Sequence, residues 1–562
     1  MNKYATLHIM DSAYCFPVTE HDIVIRLRTA HDDMDKVWLI YESKYVFGES
    51  QKRTEMNLTF SGEVFDYYSV RLHLEDTRLA YVFYLYDGKS YRFFSEDGFS
   101  EDYDYTKGFY NFFQYPYINR ADLLDSVDWM KRAVFYQIFV DRFCIGDTGK
   151  DMQYVNMKWG DAPTPKSFAG GDLKGITKKL DYIRELGVNA IYLTPVFSSK
   201  SNHKYDIRDY MQIDEHFGTK EDFRELVDCA HQRGMRVVLD AVFNHCSEEI
   251  SQFQDVCRRG KQSEYFDWFI ISGEKPEKDP CNYETFAACD YMPKLNTSNP
   301  EVREFLLNIA CYYIREFDID GWRLDVSDEV SHDFWRAFRK AVKNVKADAV
   351  IIGENWHDAS NYLRGDQYDS IMNYAFTKCC LDFFATETMN ARQAAGKLND
   401  ILARNSDTVN HMMLNLLDSH DTHRFFSEVG EDEKKFKAAL CLLYLFPGAP
   451  CIFYGTEIKI TGGYDPDCRK CMDWERTEKE KDSEVFWLLK TLSHVRRSYD
   501  LANGRVCISS DKDGRVLLYE NDAPEGKIRL LINHSPGAVV DNGVTLEAGE
   551  SFLYVEGGER IC

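Results

Sequence analysis

The sequence predicts an α/β protein built on a (β/α)8 TIM barrel. A subdomain is inserted after the third strand, an N-terminal β-sandwich domain precedes the barrel, and a small C-terminal β-sandwich domain follows it. Three observations carry this. From about residue 130 to 500, apolar strand-like runs alternate with amphipathic helical segments, and eight such runs can be counted. Both ends of the chain show short β-rich runs punctuated by turn residues and no long helical period. The stretch 244–298, between the third run and the next helix, is too long for an ordinary loop.

In the N-terminal domain, 1–120, the run 22–28 places Ile23, Ile25 and Leu27 on one face, with Val24 breaking the alternation on the other. Runs 70–74 and 78–86 are rich in β formers, and Asp87-Gly88 and Asp97-Gly98 mark turns. A polar linker, 122–128, leads to the barrel domain, 130–500. Its strand candidates are 133–140, 188–195, 235–240, 319–324, 349–354, a weak one at 370–372, 412–417 and 449–454. Helical periodicity fills 220–233, 301–317, 333–345 and 433–445 between them. After residue 500 short strands return at 505–508, 515–519 and 528–532, separated by Asp513-Gly514 and forming the domain 501–562.

Composition narrows the function. The formal charge of −24 and pI of about 5.1 argue against nucleic acid and anionic membranes, which both require a basic face. They suit a neutral small-molecule or polymer substrate. No apolar segment is long enough to span a bilayer, and the stretch from Met1 to Asp11 lacks the apolar core of a signal peptide, so a cytoplasmic protein is expected. The sixteen scattered cysteines read as reduced thiols; Cys468 and Cys471 have no matching second pair, which argues against a zinc site.

In a (β/α)8 barrel, catalytic groups stand at the C-terminal ends of the strands. Four predicted strands here end in acids or bases: Asp240 with Asn244 and His245, Arg323 with Asp325, Glu354, and His420 with Asp421. One such residue alone is more readily a helix cap or a solvated turn; four at one face are not. Two carboxylates able to divide acid and nucleophile roles suit cleavage of a glycosidic bond through an oxocarbenium-like transition state. Arg323, two residues from Asp325 on the same side of its strand, is expected to keep Asp325 ionised. Glu354, between Ile351-Ile352-Gly353 and Trp356, is expected to have its pKa raised by apolar surroundings.

The segments Asp240-Ala241-Val242-Phe243-Asn244-His245, Gly321-Trp322-Arg323-Leu324-Asp325, Gly353-Glu354-Asn355-Trp356-His357 and Leu417-Asp418-Ser419-His420-Asp421 resemble, in order, four signature regions of the α-amylase family of retaining glycoside hydrolases. Met292-Pro293-Lys294-Leu295-Asn296 is similar to a further region of its neopullulanase, cyclomaltodextrinase and maltogenic amylase subgroup. Segments 201–206 and 465–472 also resemble that subgroup. The resemblance implies Asp325 as nucleophile, Glu354 as acid/base and Asp421 as transition-state stabiliser. It implies that His420, His245 and Arg323 complete the site of the attacked glucose, that Tyr205 stacks beneath it, and that Asp240 holds Arg323. Asp465 and Arg469 fall in a matching segment and join the substrate-binding set. Phe286 and Trp356 match aromatic positions on the leaving-group side, with plain packing as the alternative for each.

The resemblance further implies action on α-1,4 bonds of cyclodextrins, maltooligosaccharides and pullulan, with transglycosylation. It also implies a homodimer built through the N-terminal domain, which is like a carbohydrate-binding module. Two rival readings are an α-1,6-acting oligosaccharide glucosidase or glucanotransferase on the same scaffold, and a non-catalytic glucan-binding protein. Asp328-Glu329, Asn355 and His423 depart from the subgroup's wording beside the leaving-group side. Some relatives bind calcium in the loop after the first strand, and here 144–151 carries Ile145 and Lys150 instead of oxygen ligands. Lys150 is expected to take the ion's place beside Asp147, Asp151 or Asp172 of the nearby Gly170-Gly171-Asp172, so no cofactor is expected.

Overall fold

A computed structural model describes residues 1–107, 111–481, 483–541, 544–556 and 560–561. Eight parallel strands form its centre: β1 (Phe135–Ile138), β2 (Ala190–Leu193), β3 (Arg236–Ala241), β4 (Gly321–Leu324), β5 (Val350–Gly353), β6 (Ser370–Ile371), β7 (Leu414–Leu416) and β8 (Ala449–Phe453). They pair in the order β6-β5-β4-β3-β2-β1-β8-β7, and a parallel bridge from Met372 to Leu414 brings the two ends together into a nearly closed barrel. Each expected strand is present, trimmed by a few residues. The weak sixth is two residues long, so that edge of the barrel is held by little more than its neighbours.

Alternation along the strands sorts the core. Outward side chains such as Tyr136, Ile191, Val237, Leu239 and Trp322 pack under the helices. Inward ones, including Phe135, Ala190, Val238, Val350, Leu414 and Ala449, fill the barrel and meet Val127, Met130 and Ala133 of the incoming linker. Toward the C-terminal ends the inward positions turn polar: Gln137, Tyr192, Asp240 and Arg323. Register pairs Asp240 with Arg323 and Arg323 with Ile352. Gly321 permits the close approach of β4 and β5, since a Cβ there would lie 2.3 Å from Val350 O.

The surrounding helices are α1 (Leu173–Glu185), α2 (Lys220–Gln232), α3 (Pro300–Phe317), α4 (His332–Val345), α5 (Ala391–Ala403), α6 (Glu433–Leu445) and α7 (Glu484–Ser498). Their starts are set locally: Asp172 accepts from Gly175 N, Thr219 and Asp222 form a capping box, Asn299 precedes Pro300 at N1, and Ser331 accepts from Phe334 N. After β5 only a single turn, Ser360–Tyr362, stands where a helix would be. An antiparallel hairpin, Phe197–Ser199 with Ile207–Ile213, follows β2. Sequence reading did not foresee it. The inserted stretch after β3 carries a helix, Ser251–Arg259, and is tied by isolated bridges, among them Phe269 to Leu295 and Thr285 to Pro293.

At the N-terminal end, a four-stranded and a six-stranded antiparallel sheet face each other over Ile23, Ile25, Leu27, Leu39, Tyr81 and Phe83. At the C-terminal end a four-stranded sheet packs with a two-stranded hairpin. Val24 breaks the alternation for a reason: the second face of its strand, Asp22–Ala30, is also covered. Arg26 on that face is 1% exposed, lies between the rings of Phe16 and Phe60, and donates to Ala403 O (3.3 Å), Asn405 O (3.2 Å) and Asp407 Oδ1 (3.2 Å) beyond α5. Asn399 of α5 donates both to Ser61 O of the first domain and to Ile508 O of the last, each at 2.9 Å. Arg26→Met strips a buried charge from two carbonyls and a carboxylate. It is expected to cost about 3 kcal/mol and to move the N-terminal domain's calorimetric transition down. An unshifted transition would show that docking of the sandwich does not rest on this side chain.

Candidate active site

The strand ends bring the acids and bases together. Asp240 and Arg323 are inward residues of β3 and β4, Asp325 follows β4 by one residue, and Glu354 follows β5 by one. His420 and Asp421 lie in the loop after β7, Asp465 and Arg469 in the loop after β8, and Tyr205 in the turn of the hairpin after β2. A cavity of about 550 Å³ is lined by Tyr205, His245, Phe286, Asp325, Glu354, Trp356, Asp421, Asp465 and Arg469. Asp240, Arg323 and His420 lie buried beneath it. A larger groove of about 810 Å³, where the three domains meet, has no comparable set of acids and bases.

Arg323 is the centre of the site, and its side chain is wholly buried. Its Nη1 donates to both oxygens of Asp240 (3.0 and 3.1 Å) and to Asp325 Oδ1 (2.9 Å). Its Nη2 lies 3.0 Å from Glu354 Oε2 but is not aligned as a hydrogen-bond donor, and lies 4.0 Å from Asp421 Oδ2. Asp240 also accepts from Tyr192 Oη (2.6 Å) and Tyr205 Oη (2.8 Å). Burial pushes its carboxyl up to about 6 against the pull of Arg323 and the two hydroxyls. Asp325 is pushed up too, first by burial and then by the charge of Glu354, with Arg323 opposing. This runs against the expectation that Arg323 keeps Asp325 ionised: one guanidinium is divided among several carboxylates.

The surroundings of Glu354 also differ from expectation. They are polar rather than apolar. Val326 N donates to Oε2 (2.9 Å) and Trp356 Nε1 to Oε1 (3.2 Å). Val326 adopts φ 45°, ψ 44°, a left-handed conformation unfavourable for a β-branched residue, and this turn aims its N–H at Glu354.

The other polar groups form one chain. Gln137 Nε2 donates to His420 Nδ1 (2.7 Å), which leaves the ring proton on Nε2 to meet Tyr205 Oη (2.6 Å), near Asp421 Oδ2 (3.1 Å). Burial holds His420 neutral, well below the usual histidine range. Arg469 donates to His420 O (2.7 Å) and Asp421 Oδ1 (3.2 Å) and pairs with Asp465 (2.9 Å). His245 is neutral as well, pushed by burial down to about 3; its Nε2 has no hydrogen-bond partner and lies 3.9 Å from Asp325 Oδ2. Phe286 stacks on the His245 ring at 4.7 Å, and Trp356, 46% exposed, stacks on Tyr374 at 3.8 Å. Both line the cavity. Gln137, Tyr192 and His203 were missed in the sequence. The first two read as ordinary strand residues; the third lies beside Tyr205 in a segment singled out for other members. Lys294 pairs with Glu329 (3.1 Å) and holds the departing stretch after Asp325 in place, while Asp328 stays exposed at the cavity wall.

The neutral histidines set a pH dependence. The unfolded chain binds a proton on His245 near the ordinary value of 6.5, whereas the fold does so only at about 3, so stability falls as pH drops below 6.5. Asp240 offsets part of this, because its carboxyl takes up a proton in the fold at higher pH than in the unfolded chain. Chemical denaturation at pH 6.5 and 5 is expected to show His245→Asn losing about 2 kcal/mol less than the parent on acidification. An equal loss in both would mean that His245 does not titrate in the unfolded chain alone.

Residues 137–499 match the family described as "Alpha amylase, catalytic domain", and residues 1–119 match "Alpha amylase, N-terminal ig-like domain". A cyclomaltodextrinase of Thermoanaerobacter pseudethanolicus is 44% identical over 95% of this chain and 93% of its own. An intracellular maltogenic amylase of Bacillus subtilis is 41% identical over 92% of this chain and 90% of its own. A solved cyclomaltodextrinase superposes with a TM-score of 0.91 at 38% identity, covering 96% of this chain and 92% of that one. With the catalytic domain matched over most of the barrel and the strand-end acids gathered in one cavity, the chain belongs to the α-amylase family of glycoside hydrolases.

Proposed function

We propose that this protein is a retaining α-glucan hydrolase of the cyclomaltodextrinase type. It cleaves α-1,4-glucosidic bonds in cyclodextrins and maltooligosaccharides, accepts pullulan, and transfers glycosyl units to sugar acceptors as well as to water. The observation that carries this reading is the pair Asp325 and Glu354 at adjacent strand ends, both within about 3 Å of nitrogens of one guanidinium. A retaining mechanism needs two carboxyls close together, whereas an inverting one leaves room for a water between them.

In this reading Asp325 attacks the anomeric carbon while Glu354 protonates the leaving oxygen. Water, activated by Glu354, then hydrolyses the glycosyl–enzyme ester. The aligned Nη1–H of Arg323 favours Asp325 as the attacking anion against the burial that pushes its carboxyl up, while Nη2 makes only a misaligned approach to Glu354, which is left to serve the leaving oxygen. Tyr205, fixed by Asp240 and His420, supports the face of the attacked glucose. The free Nε2 of His245, together with His420 and Asp421, meets its hydroxyls, and Asp465 and Arg469 bind on the same side. Phe286 and Trp356 receive the leaving group.

We further place the enzyme in the cytoplasm as a homodimer. Among the described residues no helix is long and apolar enough to cross a membrane, and a relative at 41% identity is named intracellular. Tyr4, Tyr45, Val64 and Tyr91 are exposed apolar side chains of the N-terminal domain, the domain through which the dimer is proposed to form. Light scattering should then give twice 65.6 kDa; a monomer mass would remove the dimer from this reading.

Asp325→Asn is expected to lower turnover of β-cyclodextrin by about 10⁴-fold or more while glucan binding persists in calorimetry. Proton NMR of the first products from the parent enzyme should show the α-anomer. A β-anomer, starch cleaved faster than β-cyclodextrin, or isomaltose as the best substrate would each overturn the assignment.

A further inference from the structure

The loop after β1 encloses a positive charge that belongs to the chain. Lys150 runs inward with 12% of its side chain exposed. Its ammonium donates to Gly170 O (2.8 Å) and His216 O (2.8 Å) and pairs with Asp172 Oδ2 at 3.0 Å. An ammonium has three donors, and three oxygens from two separate stretches, 170–172 and 214–216, meet it. Asp172 accepts in addition from Gly146 N (2.9 Å), Asp147 N (3.0 Å) and, as the cap of α1, Gly175 N (2.7 Å). Asp147 is engaged elsewhere, by Lys174 at 2.7 Å.

Calcium asks for six to eight oxygens. Here Ile145 supplies none, Asp147 is taken, and a fixed cation already contacts Gly170 O and Asp172. These residues do not fit a divalent ion. We infer that Lys150 is a tethered cation that holds this loop in place of a metal, and that through it the loop supports the floor of the catalytic cavity.

The link to the cavity is short. His216, whose carbonyl Lys150 holds, stacks on Tyr154 at 3.7 Å, and its N–H donates to Asp214 Oδ1 (3.0 Å). The same oxygen pairs at 2.9 Å with Lys204, an ion pair with no exposure on either side. Lys204 has φ 65° and immediately precedes Tyr205 in the hairpin turn. Two ammonium groups on either side of the 214–216 turn thus fix the position from which Tyr205 reaches Asp240 and His420. Lys150 is a positioning residue; it does not touch the reacting atoms.

Thermal unfolding with EDTA or with millimolar calcium tests this on three proteins. The parent should unfold at the same temperature in both and give no binding heat with calcium; destabilisation by EDTA, or stoichiometric calcium binding, overturns the inference. Lys150→Met keeps the side-chain bulk without the charge. It should unfold several degrees lower whatever the calcium level and show a raised KM for maltooligosaccharides; an unchanged midpoint overturns the inference. Lys150→Asn also removes the cation. It should be as weak as Lys150→Met in EDTA and in calcium alike, because Ile145 and the engaged Asp147 still leave too few oxygens for the ion. Rescue by calcium would overturn the inference that these residues do not fit a divalent ion. Should neither variant fold, the parent's response to EDTA and calcium still decides.

Discussion

The buried guanidinium of Arg323 is the constraint around which the rest of the molecule is arranged. A charge with no exposure is tolerated only when fully paired, and its pairing here requires carboxylates from several strands at once. Asp240 arrives from β3 in register with it, Asp325 from the turn that ends β4, and Glu354 from β5. This geometry exists only if adjacent parallel strands are in the right register, which the barrel's outward apolar residues fix by packing under the helices. Removing Arg323 leaves several carboxyls crowded without a counter-charge; removing one carboxyl leaves the others a larger share of it. Stability and chemistry are therefore set by the same contacts.

Much of this was legible in the sequence because the barrel breaks its own pattern where it works. Apolar runs of four to six residues end in Asp240, Arg323 and Glu354, and a polar residue at an inward strand position stands out against Val, Ile and Leu. Gln137 and Tyr192 gave no such signal. Each sits inside a short strand, and only the folded register shows that Gln137 sets the His420 tautomer and Tyr192 binds Asp240. The hairpin after β2 was hidden because Phe197–Ser199 is too short to register as a strand. The surroundings of Glu354 were misread for a related reason. Local sequence is apolar, but the groups that meet the carboxyl are a backbone N–H from a strained turn and a guanidinium from another strand. Neither appears in a window around position 354.

The same distinction applies to domain docking. Val24 looked like an exception to a half-exposed strand, and Arg26 like an ordinary residue of its polar face. They are the second buried face of a sheet that packs both on its own sandwich and on α5. A strand covered on two sides loses its alternation, so the exception was itself the interface signal. Arg26 resembles Arg323 in kind: a buried cation whose partners come from a distant part of the chain and lock two elements together. Lys204 and Lys150 repeat the device on a smaller scale. A chain with a formal charge of −24 has carboxylates in excess, and its interior cations are the scarcer partners.

That scarcity bears on where specificity can reside. Residues bound to Arg323, His420 or Lys204 are held by several partners each, and a change in one disturbs all of them. The cavity's outer wall is different. Asp328 and Trp356 are exposed, and each has at most one or two partners to lose. Just behind them Glu329, tied to Lys294, fixes the backbone that carries Asp328. Side chains there can vary without moving Asp325. In the proposed reading, the choice between α-1,4 and α-1,6 bonds, and between water and sugar as acceptor, is made where the leaving group lies, and that reading puts the leaving group at this wall. The segment after Asp325, where the wording departs from the subgroup's, is thus the least constrained part of the site and, in the proposed reading, the part that meets the group that distinguishes one linkage from another.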